Sequence, residues 1–223
     1  TTLFRSPTLA TWGGRAAPWS GWATTSPSNN YYYSFLRGTM MVGLATRGDN
    51  DPAAAGYISQ FRTAKLQTEL VPEFTRDLVG GGSREGTGYG SAQRTLFQLY
   101  DWWERTTGER IVTLTPHAQA SAAWLAHSVV PTLDYLVSTG DHARESTAAL
   151  FDYDRQYLLT LASLFPTDRM SGMSKVLLDG STVATSIYNF QSWVDYVYQP
   201  QALPAAVITD LSSTYWGAGT GQL

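Results

Sequence analysis

Gly80-Gly81-Gly82-Ser83-Arg84-Glu85-Gly86-Thr87-Gly88-Tyr89-Gly90 joins two patterned segments and sets how both are read. Downstream, Tyr89, Leu96, Tyr100 and Trp103 fall on one side of a helix, and Arg94, Gln98, Asp101 and Arg105 on another. Thr107-Gly108 supplies its C-terminal stop. Upstream, Tyr57, Phe61, Ala64, Leu66 and Leu70 predict a helix opened by Pro52. Pro72 should kink or interrupt it before it resumes through Phe74 and Leu78. The junction therefore lies between two helices. It is either a mobile, glycine-rich approach to a reactive helix start, bearing Arg84, Glu85 and Tyr89, or a plain turn.

The same pattern continues outward. Ser28-Asn29-Asn30 offers capping side chains to a helix over 30–46, with Tyr33, Arg37, Met40, Met41 and Leu44 on one broad face. A further helix is expected over 117–137, bent at Pro131, followed by a loop over 138–142. Another should cover 146–164, and 169–199 reads as one or two more. Ala206-Val207-Ile208 is a short apolar run, and the glycine-rich 215–223 resembles the approach to a strand. The expectation is an all-α array of antiparallel helix hairpins. A bundle, a solenoid and a toroid all fit it. Residues 1–28 form an irregular segment pinned by Trp12, Trp19 and Trp22. Residues 29–205 form the helical domain, and 206–223 a linker or the first strand of a following β domain. The ending Gly-Ala-Gly-Thr-Gly-Gln-Leu suggests a chain cut before that domain.

Composition narrows the function classes. Charged residues make up 15% of the chain, against about 25% in an average globular protein. Aromatics reach 13%, with 8 Trp and 13 Tyr. That balance suits a protein that stacks and hydrogen-bonds an extended polar polymer such as a glycan; the alternative is a Trp-rich helical core. A net charge of -3 with no Lys/Arg cluster argues against nucleic acid. An acidic glycan stays open, since a cleft can be locally positive on an acidic protein. The absence of cysteine removes disulfides, thiolate chemistry and Cys-based metal sites. No apolar run reaches the roughly 18 residues of a membrane span. The three histidines are too dispersed for a metal motif. His117 and His127 read as structural, whereas His142, after Gly140-Asp141 in a loop, is the better functional candidate.

Three segments together resemble the heparinase II/III-type polysaccharide lyases and their alginate-lyase relatives. They are Ser28-Asn29-Asn30-Tyr31 leading into Val42-Gly43-Leu44-Ala45, Glu85-Gly86-Thr87-Gly88-Tyr89-Gly90, which is similar to the family's Glu-Gly-x-x-Tyr element, and Leu136 to Asp141, similar to a loop closing on Gly-Asp. Tyr215 to Gly221 resembles the lead into the family's first β-sheet. The resemblance implies an incomplete α/α toroid followed by a β-sandwich. It also implies β-elimination on a uronate-containing polysaccharide or oligosaccharide, in a periplasmic or secreted location. No cofactor is expected in this chain, although family members can carry a metal in the β region.

By the same resemblance, Asn30 neutralises the substrate carboxylate, or Asn29 does if the register shifts by one; the alternative is that either is only an N-cap. Tyr89 corresponds to the tyrosine acting as base, acid or both, and otherwise is a core tyrosine. An unperturbed phenol has a pKa of about 10, so Arg84 or Arg37 is expected to lower it. Glu85 is a supporting residue that orders the loop, orients an arginine or caps a helix. Tyr33 and Arg37 share the side of Asn30. Arg37 is a second contact for substrate carboxylate, or an internal salt bridge. Trp102 is a candidate for stacking on sugar, whereas Trp103 is read as core. The family commonly has a histidine where this chain has Tyr31, which leaves substrate class and proton-transfer scheme open. Two other functions remain: a non-catalytic carbohydrate-binding or structural module, and a glycoside hydrolase pairing Glu85 with Asp141, Asp49 or Asp77.

Overall fold

The computed structural model describes residues 11–12, 15–16, 24–49, 51–141, 152–183, 192–199 and 202–220. Helix α1 (Asn30–Thr46) starts at Asn29, whose side-chain oxygen accepts the Tyr31 N–H at 3.0 Å. Tyr32, Tyr33, Leu36 and Met40 recur at helical spacing and form its buried stripe. Helix α2 (Ala54–Ser59) continues through a π-helical stretch, Gln60–Leu70, into α3 (Val71–Asp77). The wide turn is legible in the spacing of its buried residues, Phe61, Leu66, Leu70 and Phe74, where one step is five residues long. Pro72 therefore interrupts nothing. It sits in the first turn of α3, beside the π stretch.

Helix α4 (Gly90–Thr107) ends at Gly108, left-handed at φ 77°, whose N–H returns to the Glu104 carbonyl at 2.8 Å. Helices α5 (His117–Ser128), α6 (Asp152–Leu164), α7 (Arg169–Gly180) and α8 (Trp193–Val197) follow. The expected helix over 117–137 is shorter than its pattern suggested. It stops at Ser128, and the chain reverses in a narrow hairpin. Val130 N–H donates to Tyr135 O at 2.9 Å and Val137 N–H to Ser128 O at 2.7 Å. Pro131 does not bend a helix; it forces extended backbone on Val130 and opens the turn. Residues 146–151, expected in the fifth helix, lie outside the described residues, as do Trp19 and Trp22.

The result is an all-α, helix-rich fold. Among the described residues the only β ladder pairs Thr11–Trp12 with Arg15–Ala16. Helix α4 is the axis: it packs against α1 on one side and α6 on the other. Helix α1 backs onto α2 and the π stretch, α6 onto α7 and α8, and α5 onto α7 and α6. Phe61, Phe74, Leu96, Phe97, Tyr157 and Leu161 are core residues shared between these layers. The polar side of α4 is covered too. Arg94 Nη1 donates to Gln156 Oε1 at 2.7 Å, and Tyr198 OH donates to Asp101 Oδ2 at 2.7 Å. Trp103 is core as expected, with its indole N–H on Glu109 at 2.8 Å.

Residues 202–220 return over the helices. They hold a short 3-10 turn, Ile208–Asp210, and the expected approach to a strand, 215–223, forms no strand over its described residues, 215–220. Ala206, Leu211 and Tyr215 pack on the core. Ala218 O accepts the Gly80 N–H at 3.0 Å, and the Tyr215 hydroxyl donates to Gly80 O at 2.8 Å.

Candidate functional site

Glu85 is the organiser of the predicted site. Its Oε2 accepts the Asn30 backbone N–H at 2.7 Å. Its Oε1 accepts the amide groups of Asn30 at 3.0 Å and Asn29 at 3.1 Å. A carboxylate from a distant loop thus caps the positive end of α1, where backbone N–H groups have no intrahelical partner. Capping was one of the roles expected of Glu85, but the helix it caps is α1, not the α4 it precedes. Burial raises the carboxyl above its ordinary range; the Asn30 bonds pull it down, and nearby Asp141 pushes it up again.

The loop over 83–90 is strapped to the loop over 137–141. Gly86 and Gly140 pair across an antiparallel bridge. Asp141 N–H donates to Glu85 O at 2.7 Å, Thr87 N–H to Thr139 O at 3.0 Å, and Gly88 N–H to Asp141 O at 3.0 Å. Gly86 and Gly140 are left-handed, at φ 132° and 60°. A Cβ on Gly86 would run into the Asp141 backbone, and one on Gly140 would lie 2.6 Å from Glu85 O. Glycine is required here because two backbones cross in contact.

This strap delivers Tyr89 to the same place. Its hydroxyl faces Asp141 Oδ2 at 3.4 Å. The phenol's pKa is raised, first by burial and then by Glu85 and Asp141. That reverses the expected lowering by an arginine. Arg84 turns away and spends its charge on Asp77 at 3.4 Å and Glu73 at 4.0 Å. Tyr89 is consequently a proton-holding group near neutrality. Tyr31, 47% exposed, lies close enough to add to its shift.

The remaining candidates separate. Asn29 is an N-cap, its carbonyl oxygen engaged by Tyr31 N–H and its amide by Glu85. Asn30 donates one amide hydrogen to Glu85 and keeps the second. Tyr33 is in the core, 1% exposed and edge-on to Phe74, so the shared helical side predicted with Asn30 turns inward at this position. Arg37 is half-buried with no ion pair among the described residues. Trp102 packs against Trp193 at 6.5 Å between centroids, roughly 20 Å along α4 from Tyr89, so it does not join the site. His142 lies outside the described residues. His117 is buried and His127 stacks on Tyr215 at 5.0 Å, so both are structural. Asp141 was named as the end of the Gly-Asp loop and as one of three acids that could pair with Glu85; its place beside Tyr89 was not read from the sequence.

The glycine triplet is not a mobile rim. Gly80, Gly81 and Gly82 are buried. A Cβ on Gly81 would come within 2.5 Å of Ser121 N. Gly82 N–H donates to Ser121 Oγ at 3.1 Å, and His117 Nε2 bonds Gly82 O at 2.8 Å.

Among the described residues no cluster of three or more His, Asp or Glu could hold a metal, and no helix is long and apolar enough to cross a membrane. No family model, curated protein or solved structure matches the chain.

Proposed function

We propose that the chain is the α/α toroid portion of a polysaccharide lyase that cleaves a uronate-containing glycan by β-elimination. In this reading α1, α4 and α6 are inner helices and α2, α3, α5 and α7 outer ones. The observation that carries it is the convergence of the Asn30 amide and the Tyr89 phenol around the Glu85–Asp141 strap, each at a helix start.

Elimination removes the proton on C5 and expels the 4-linked sugar. Negative charge builds on the uronate carboxylate as C5–H breaks, and a preorganised donor there lowers the barrier. The second hydrogen of the Asn30 amide supplies that donor, with Glu85 fixing the amide's orientation. Tyr89 holds its proton and passes it to the leaving oxygen. His142 directly follows Asp141 in the sequence, and an imidazole is a side chain suited to proton uptake near neutrality; it is the proposed base.

A second reading has one observation in its favour. Burial raises the Glu85 carboxyl, and Asp141 lies near enough to raise it further, as a glycosidase's general acid requires. Against it, both Glu85 oxygens already accept N–H donors. Incubation with a panel of uronate polysaccharides separates the readings. The lyase yields an ultraviolet-absorbing unsaturated uronate at the new non-reducing end. New reducing ends without that absorbance support the hydrolase, and binding without cleavage supports a carbohydrate-binding module.

A further inference from the structure

Arg37 is a partly buried cation with no carboxylate partner among the described residues. Arg62, Lys65 and Arg155 are comparably buried, and each holds a carboxylate: Glu109 at 2.6 Å, Glu69 at 2.6 Å and Asp195 at 2.7 Å. Arg37 has no such partner among the described residues, so the internal salt bridge that its sequence position allowed is not found. Burial alone pushes its guanidinium below the ordinary range, the sign of desolvation without compensation.

Its position gives that charge a use. Arg37 follows Asn30 by two turns of α1, about 10 Å of rise and nearly in line. Helical side chains lean toward the N-terminus, over the preceding turn. The guanidinium therefore covers surface about one sugar ring away from the Asn30 amide. The fixed charges at Tyr89 are Glu85 and Asp141, which repel a polyanion, and Arg84 is spent on Asp77. A cation beside the site is what an acidic glycan needs. A guanidinium takes a carboxylate in two parallel bonds, which fixes orientation as well as charge.

We propose that Arg37 is a specificity residue that binds the carboxylate of the sugar next to the one cleaved, making the preferred substrate a polyuronate with acid groups on adjacent rings. This rests on the lyase reading of the Asn30–Tyr89 site.

The test compares wild type with Arg37→Met, which keeps the apolar stem, and Arg37→Lys. The probes are a contiguous polyuronate, an alternating polymer of uronate and neutral sugar, and the same alternating polymer sulfated on the neutral ring. Unsaturated product gives kcat and KM, and titration calorimetry gives binding. Arg37→Met should raise KM for the contiguous polyuronate roughly tenfold to a hundredfold, as expected for loss of a charged hydrogen-bonded pair. Its kcat and its KM for the alternating polymer should stay near wild type, and Arg37→Lys should recover part of the loss. Unchanged KM for the polyuronate, with product still formed, overturns the proposal and leaves the lyase reading standing. An effect confined to the sulfated polymer overturns the polyuronate assignment. If no substrate gives unsaturated product, the lyase reading fails. Polyuronate binding that weakens in Arg37→Met then still supports the anion subsite, and binding absent or unchanged overturns it.

Discussion

Three donors meet the Glu85 carboxylate, so this side chain supports two elements: the first turn of α1 and the strap that carries Tyr89. Truncation leaves the Asn30 N–H and two amides without their acceptor. Glu85→Ala should therefore lower stability by about 2–3 kcal/mol, read as a shift in denaturant midpoint at constant slope. Glu85→Gln should fall between the two, since one amide oxygen cannot serve both the Asn30 backbone and side chain. A Glu85→Ala midpoint equal to wild type would remove Glu85 from its organising role. Tyr89 separates stability from chemistry in the opposite sense. Its hydroxyl makes one long bond, 3.4 Å to Asp141, so Tyr89→Phe should change stability by less than about 1 kcal/mol. Elimination should slow about 10²–10⁴-fold with loss of the acid. Asp141→Asn removes one of the charges that raise the phenol. A phenol that titrates lower loses its proton earlier, so the alkaline limb of kcat/KM should move to lower pH. A limb that stays in place would show that Tyr89 does not set it.

At the scale of elements, the glycine loop between α3 and α4 is fixed by the start of α5. His117 is fully enclosed, in ring contact with Phe74 at 4.4 Å and bonded to Gly82 O at 2.8 Å. Burial drives its pKa down to about 4, whereas in the unfolded chain it titrates near 6.5. Above 6.5 neither state binds the proton and the full stability is present. Between 6.5 and about 4 only the unfolded state binds it, so stability falls with pH, by up to about 3 kcal/mol. His117→Gln should flatten that part of the stability–pH curve in chemical denaturation. An unaltered slope would show that other groups set it. The helices themselves were legible because their buried stripes repeat at 3.6 residues; the start of α1 at Asn29 and the stop of α4 at Gly108 follow from local capping chemistry. What lies outside a local window was not legible. Gly81 was read as part of a mobile approach, while its use, like that of Gly86 and Gly140, is to let backbones approach in the absence of Cβ. The pairing of Glu85 with Asn30, and of Tyr89 with Asp141, joins residues far apart in sequence. Arg94, Gln98 and Asp101 read as a separate polar side of α4, but α6 and α8 bring Gln156 and Tyr198 to cover it. The apolar pattern of 129–137 continued that of α5, but the helix ends at Ser128 ahead of Val130-Pro131, and Leu133 is left-handed, at φ 60°, in the turn that follows.

Across the whole molecule, the returning segment over 202–220 grips the glycine loop alongside α5, where the Tyr215 hydroxyl also reaches Ala120 O at 3.4 Å. Gly80 is held twice, its N–H by Ala218 O at 3.0 Å and its carbonyl by the Tyr215 hydroxyl at 2.8 Å. Tyr215 also stacks on His127 at 5.0 Å. The glycine loop leads within a few residues to Ser83, whose hydroxyl accepts the Glu85 N–H at 3.2 Å. The segment and the Glu85 strap are thus joined through one short, fully packed stretch of chain. Tyr215→Ala removes the phenol bond, the stack and a partly buried ring together, and should lower stability by about 2–3 kcal/mol. Tyr215→Phe keeps the stack and leaves Gly80 O with one bond fewer, which should cost about 1 kcal/mol. The distinguishing readout is local. In Tyr215→Ala, amide exchange should accelerate at Gly80 and Gly82 more than in the centre of α4, because opening of the loop is made easier than global unfolding. The same variant should lose lyase rate with Tyr89 itself untouched, as the strap no longer holds the phenol in one position. If exchange at Gly80 and Gly82 accelerates only as much as in α4, Tyr215 adds to global stability alone and the C-terminal segment is not coupled to the site.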